Sequence, residues 1–162
     1  LLKTQAPTAM FVFLGGGVEV TRLQQMAADK GLDNVTFLPG VPMSDVGAYL
    51  AHSDALLVHL KKDPLFTITI PSKTQAYMAA GKPVLMAVDG DAADLVTASG
   101  CGVVSESENP QSLAQAALSL MQLSPQERLK MGQKGRDYYQ KNLSLRVGVE
   151  RFGAHFRRMS KK

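Results

Sequence analysis

Short apolar runs alternate along this chain with stretches whose apolar residues recur every three or four positions, and that alternation limits the fold more than any other feature. Runs of four to six apolar residues read as strands, and the helical spacing between them marks amphipathic crossovers. No two runs flank a tight two-residue turn, so no hairpin is signalled. Strand and helix in strict alternation predict parallel pairing with right-handed crossovers. The expected class is α/β: a Rossmann-like doubly wound parallel sheet with helices on both faces and a helical C-terminal tail.

The first run, Met10 to Leu14, is continuously apolar and ends at Gly15-Gly16-Gly17, the pattern of a strand buried on both faces. Val20, Leu23, Met26, Ala27 and Leu32 then make one helical stripe. Val35 to Leu38 is a second strand and Pro39-Gly40 a turn, after which Ser44 is placed to cap a short helix carrying Val46, Tyr49 and Leu50 inward. Ala55 to Leu60 is the third strand. Lys61 to Ile70 shows no clear period. A helix follows from Pro71-Ser72, where Ser72 and Gln75 have the capping-box spacing, and Gly81 and Pro83 end it. Val84 to Val88 is a strand, Asp91 to Ser99 a helix and Cys101 to Val104 a strand. Helices then run from Pro110 to Leu123, from the Ser124-Pro125-Gln126-Glu127 start signal, and from Ser144, the last carrying Val149, Phe152, Phe156 and Met159 on one side.

At 162 residues the chain suits one domain: residues 1–141 as the sheet domain, with residues 142–162 as a helical tail reaching for a domain outside this chain. The opening LLKTQAP reads as the last turn of a helix with a proline stop, which suggests that the chain begins inside a larger protein. Neither a signal peptide nor an apolar run of about 20 residues is present, so a cytoplasmic location is expected. Cys101 is the single cysteine and reads as a small buried residue. From Ser124 onward there are 11 Lys/Arg against 3 Asp/Glu, whereas the preceding residues hold 7 against 11. A basic tail of this kind serves contact with a partner domain, contact with anionic lipid at the inner face of the plasma membrane, or simply a solvated helix face. The apolar stripe of the last helix favours the partner domain.

Ligands of open α/β sheets bind beyond the carboxyl ends of the strands, which directs attention to Gly15 to Gly17, Pro39 to Pro42, His59 to Lys73 and Asp89 to Asp91. The glycine triplet permits close backbone approach to a ligand, although a tight turn alone also requires glycine, and Val20 breaks the dinucleotide fingerprint. The helix start at Ser72 is the better anion site, because its free N–H groups and positive dipole end are joined by Lys73, with Lys61 and Lys62 just before. His59, at a strand end, is a weaker candidate. No carboxylate pair, His/Cys cluster or nucleophilic triad stands out, so metal hydrolysis and acyl transfer have no support and no catalytic residue is assigned. His52 and His155 receive no role, and nothing points to nucleic acid.

The segments FVFLGGG, NVTFLPGVPMSDVGAYLAHSDALLVHL, IPSKTQAYMAAGKPVLMAVDGDAADLVTASGCGVV and NPQSLAQAAL, in this order, resemble the C-terminal domain of a family 4 GT-B glycosyltransferase, nearest to the bacterial branch that assembles surface polysaccharide. The likeness covers Met10 to about Tyr139. It implies two Rossmann-like domains facing a cleft, a nucleotide-sugar donor held mainly by this half, retention of anomeric configuration, no metal or other cofactor, and a glycan or lipid-linked acceptor on an N-terminal domain absent from this chain. Residue by residue, it implies that Gly16 and Gly17 line the cleft, that Val41 neighbours the nucleobase, and that Ser72, Lys73 and Thr74 meet the diphosphate. Two glutamates usual in the family fall at Ile68 and Ala76, and neither side chain accepts a hydrogen bond. Gln75 points about 100° away from Ala76. A UDP-sugar transferase is the leading expectation; a UDP-sugar epimerase of the same fold and an inactive nucleotide-sugar-binding module are the alternatives.

Overall fold

The computed structural model describes residues 1–159; the end of the predicted tail, Ser160 to Lys162, lies outside the described residues. The chain forms two compact units, Leu1–Tyr49 and the part from Leu50 onward.

In the first unit, α1 (Leu2–Gln5) leads to β1 (Phe11–Leu14), α2 (Val20–Asp29) and β2 (Val35–Leu38), and α3 (Met43–His52) carries the chain into the second. β1 and β2 pair in parallel with Phe11 opposite Val35 and Leu14 opposite Leu38. Phe13 stacks on Phe37 with ring centroids 5.2 Å apart, and Lys3 ties α1 to the turn before β2 through Asp33 at 3.1 Å. The expectation that β1 is buried on both faces does not hold. Val12 and Phe13 are 57% and 44% exposed, because β1 has a single strand partner and α2 contributes no fully buried residue. Ser44 is likewise not the cap of α3. It lies one residue inside the helix with its Oγ on Asp45, and Asp45 N donates to Pro42 O, so the turn at Pro42 opens the helix.

The second unit holds β3 (Leu56–His59), α4 (Pro64–Thr67), α5 (Ser72–Ala80), β4 (Val84–Ala87), α6 (Asp91–Ser99), β5 (Gly102–Val104), α7 (Pro110–Gln122), α8 (Pro125–Asn142) and α9 (Leu145–Met159). Its strands are parallel in the order β3-β4-β5. Leu56 and Gly102 both sit opposite Val84. β4, flanked on both edges, is the strand whose every side chain is buried, as a central parallel strand requires. Val58, Met78, Val84, Met86, Val96 and Cys101 form the middle of the core; burial pushes the Cys101 thiol up, so it stays protonated.

Helix ends follow local chemistry. Gly81 and Gly100 take the left-handed conformation after α5 and α6 (φ 70° and 63°). Ser124 and Glu127 form the reciprocal box expected at the start of α8. α8 lies directly on the end of α5 because Gly132 presents no side chain to Gly81. Among the described residues no helix is long and apolar enough to cross a membrane.

Candidate functional site

The carboxyl ends of β3, β4 and β5 carry the chemistry of the second unit. His59 ends β3 exposed, and Lys61 and Lys62 follow, also exposed. The segment without clear period then folds into α4: Asp63 accepts from Leu65 N at 2.8 Å and Pro64 takes the first helical position, an Asp-Pro start signal that the periodicity obscured. Thr67 Oγ1 returns to Pro64 O at 2.7 Å. α4 rests on the turn between β4 and α6, where Gly90 has φ +80° and an added Cβ would lie 2.0 Å from Thr67 O. Both the backbone angle and the close approach therefore require glycine there.

Beside Gly90, Asp89 accepts from Ser107 N at 3.2 Å and from Ser107 Oγ at 2.6 Å. Those two bonds hold its carboxyl below the usual carboxylate range, with the Lys62 ammonium adding to the effect. Lys61, Lys62, Phe66, Thr67, Asp89 and Ser107 lie together at this edge of the sheet, leaving no space the size of a water molecule among them. Asp89 lies in one of the strand-end loops to which the α/β class directs attention, whereas no sequence signal points to Ser107.

At the start of α5, Pro71 adopts an extended ψ of 137° and its carbonyl accepts from Thr74 N at 2.9 Å. The capping box expected between Ser72 and Gln75 does not form. Ser72 is the first helical residue, one place too far along for its hydroxyl to cap, and no side chain caps this end. The N–H groups of Ser72 and Lys73 precede the first i→i−4 bond, and both side chains are exposed. Thr74 is different: its side chain is fully buried and Oγ1 has no hydrogen-bond partner.

The other long helices begin otherwise. α2 has Glu19 at its N-cap, without a cap bond and paired with Arg22, α3 carries Asp45 and α6 carries Asp91 and Asp94. Asn109, Ser124 and Ser144 cap α7, α8 and α9. Among the described helices of eight or more residues, α2 and α5 have neither a carboxylate in the first turn nor a side-chain cap, and α5 differs in having Pro71 rather than an acidic residue at its N-cap and Lys73 in its first turn.

His59, Lys61, Ser72, Lys73, Thr74 and Gln75 thus all lie on the segment from the end of β3 to the first turn of α5. Ile68, 71% exposed, and Ala76 lie on the same stretch. Gly16, Gly17 and Val41 belong to the first unit. There Gly15, with φ +127°, needs glycine, whereas a Cβ at Gly16 or Gly17 would meet nothing within 4 Å. The triplet does not itself open α2: Val20 N donates to Gly17 O across a turn, and Glu19 sets a carboxylate at the helix start. Among the described residues no three His, Cys, Asp or Glu side chains converge to hold a metal.

Parallel strands flanked by helices, with an uncapped helix start at the carboxyl edge of a sheet, are Rossmann-like α/β features. The sequence profile of glycosyl transferases group 1 matches residues 1–138, and the chain belongs to that family. It is 26% identical over 148 residues to the probable glycosyltransferase WbjE of Pseudomonas aeruginosa, covering 90% of this chain and 36% of WbjE. Sucrose-phosphate synthase of Thermosynechococcus elongatus superposes with a TM-score of 0.82 at 20% identity, covering 97% of this chain and 40% of that one. Anabaena HepE, solved in complex with UDP and glucose, superposes with a TM-score of 0.79 at 19% identity over 96% of this chain and 42% of HepE. The chain therefore spans about two fifths of the length of these relatives.

Proposed function

We propose that this chain is the donor-binding half of a retaining glycosyltransferase, which transfers a hexosyl or N-acetylhexosaminyl group from a UDP-sugar to a glycan or lipid-linked acceptor at the cytoplasmic side of the membrane. The acceptor side comes from residues outside this chain, so the chain alone transfers nothing. The observation that carries the reading is the start of α5. Two free N–H groups, the positive end of the helix dipole, Lys73 in the first turn and Lys61 and Lys62 on the preceding loop form an anion site at the edge of the sheet where α/β ligands bind. Family membership and the UDP and glucose bound to HepE support the same assignment.

The chemistry follows from charge. As the glycosidic bond breaks, negative charge gathers on the leaving diphosphate, and fixed N–H dipoles and ammonium groups stabilise that charge more than the neutral sugar. Ser72 and Lys73 act through main-chain N–H groups. Lys73 and Lys61 add side-chain charge. Thr74 N–H is already taken by Pro71, so its part is to hold the turn in shape.

Calorimetric titration of the full-length protein tests this. Lys73→Ala should weaken UDP binding by about tenfold, the worth of one charge-assisted contact, and leave uridine binding unchanged. Equal losses for both ligands, or none, would return Lys73 to the ordinary solvated lysines. A product assay with bound UDP-sugar separates transfer from isomerised donor and from binding without turnover.

A further inference from the structure

β1 is an apolar strand left open on one side. Phe11 N donates to Asn34 O at 2.8 Å and Gly15 N to Leu38 O at 3.1 Å, so the odd-numbered residues turn their peptide groups to β2. Peptide direction alternates along a strand, and Val12 and Leu14 therefore aim their N–H and C=O groups at the opposite edge. Among the described residues no strand pairs with that edge. Natural edge strands are guarded by charge, proline or a bulge. Met10 to Leu14 carries neither charge nor proline, and β1 pairs with β2 in unbroken register. β2, by contrast, carries Thr36 and is bounded by Asp33 and Pro39. The side chains make the same point. Val12 and Phe13 point to opposite faces and both stand exposed, whereas β4, with a strand on each side, is buried throughout. β1 has the composition of an interior strand and the surroundings of an edge.

We propose that the free edge of β1 receives a further parallel strand, supplied by the part of the same protein that leads into α1. α1 delivers the chain to β1 and is fixed by Lys3 to Asp33, in the turn before β2. A helix that delivers the chain to a parallel strand is the second half of a crossover, and the strand that opens the crossover belongs beside the one it reaches. β2 holds one edge of β1, so the incoming strand takes the other, where it satisfies the peptide groups of Val12 and Leu14. Its crossover helix then covers one of the faces on which Val12 and Phe13 now stand exposed. The relatives have room for such a segment, because this chain spans about two fifths of their length. A second copy fits less well, since a two-fold axis would set β1 against itself antiparallel. The proposal is independent of the donor-binding reading.

Hydrogen exchange read residue by residue on the full-length protein tests it. The Val12 and Leu14 amides should be slowed by at least about a thousandfold, as in a core strand, together with amides of one segment preceding Leu1, and dilution should leave the protection unchanged. Exchange of Val12 and Leu14 within about tenfold of the unprotected rate overturns the proposal. So does protection without a protected segment before Leu1, and so does protection that falls on dilution, the mark of a second copy. Val12→Lys in the full-length protein gives a second reading. On an open strand Val12 is 57% exposed, and lysine there is tolerated; between an added strand and its crossover helix the charge is buried without a partner. The variant should lose at least about 5 °C in Tm or fail to fold, and a Tm within about 1 °C of the wild type overturns the proposal.

Discussion

Gly132, in the middle of α8, sets helix propensity against packing. By propensity alone Gly132→Ala stabilises the helix by about 1 kcal/mol. The structure predicts the opposite sign. A Cβ at Gly132 would lie 2.0 Å from Gly81 O, 2.6 Å from Gly81 C and 3.0 Å from Lys82 Cα, where ordinary contact begins at 3.4 Å. α8 and the end of α5 would have to separate by about 1.4 Å. Neither side yields easily, because Gly81 holds the left-handed turn that starts the chain towards buried β4, and Gly135, one turn on, already lies against Cys101. Overpacking costs about 1–3 kcal/mol and belongs at the upper end when the obstacle is backbone. After the propensity gain, a net loss of about 2 kcal/mol remains, a fall in Tm of roughly 4–8 °C for a chain of this size. Gly148 of α9 is the control, since its added Cβ meets nothing within 4 Å; Gly148→Ala should gain up to about 1 kcal/mol. Urea titration followed by circular dichroism measures both. A Gly132→Ala protein as stable as the wild type would refute the packing assigned to α5 and α8.

Thr74→Val removes a buried hydroxyl that has no partner in the fold and should be neutral or stabilising by up to about 1 kcal/mol; a loss above that in denaturant titration would reveal an unseen partner. Asp89 has a folded pKa lowered first by Ser107 and then by Lys62, so its contribution is present above the unfolded carboxylate value, about 3.9, and is lost as pH falls through the folded value. The stability gap between wild type and Asp89→Asn should therefore be constant near neutrality and close in the acid range. Parallel stability curves from pH 6.5 to pH 3 would contradict it.

The order and pairing of the elements were legible because a strand's length and its bounding glycine or proline act locally. Gly81, Gly100 and the Ser124-Pro125-Gln126-Glu127 start each behave as their residue types dictate. Exposure was less legible, because it depends on neighbours. Met10–Leu14 and Val84–Val88 read alike, yet β4 lies between two strands and is buried, while β1 pairs only with β2 and leaves Val12 and Phe13 exposed. α4 escaped notice because four residues are too few to display a helical period; only its Asp63-Pro64 start could have disclosed it. Asp89 and Ser107 stand eighteen positions apart in sequence. No local pattern links them, and only the parallel pairing of β4 with β5 brings the two loops together.

The failed capping box at Ser72 carries more weight than its size suggests. A box would have satisfied two donors at the start of α5 and placed an amide oxygen where the proposed function puts a diphosphate. Instead Pro71 opens the helix one residue earlier in register, its carbonyl takes Thr74 N, and Ser72 and Lys73 keep their N–H groups for another acceptor. An uncapped helix start costs about 1 kcal/mol relative to a capped one. α7 and α8 avoid that cost through Asn109 and Ser124, while α5 bears it at the carboxyl edge of the sheet, with Lys73 and no carboxylate in its first turn. A cap engineered there, such as Pro71→Ser, should therefore raise stability and lower UDP affinity together; a gain in stability with UDP binding unchanged would show that the free donors of α5 do not face the ligand.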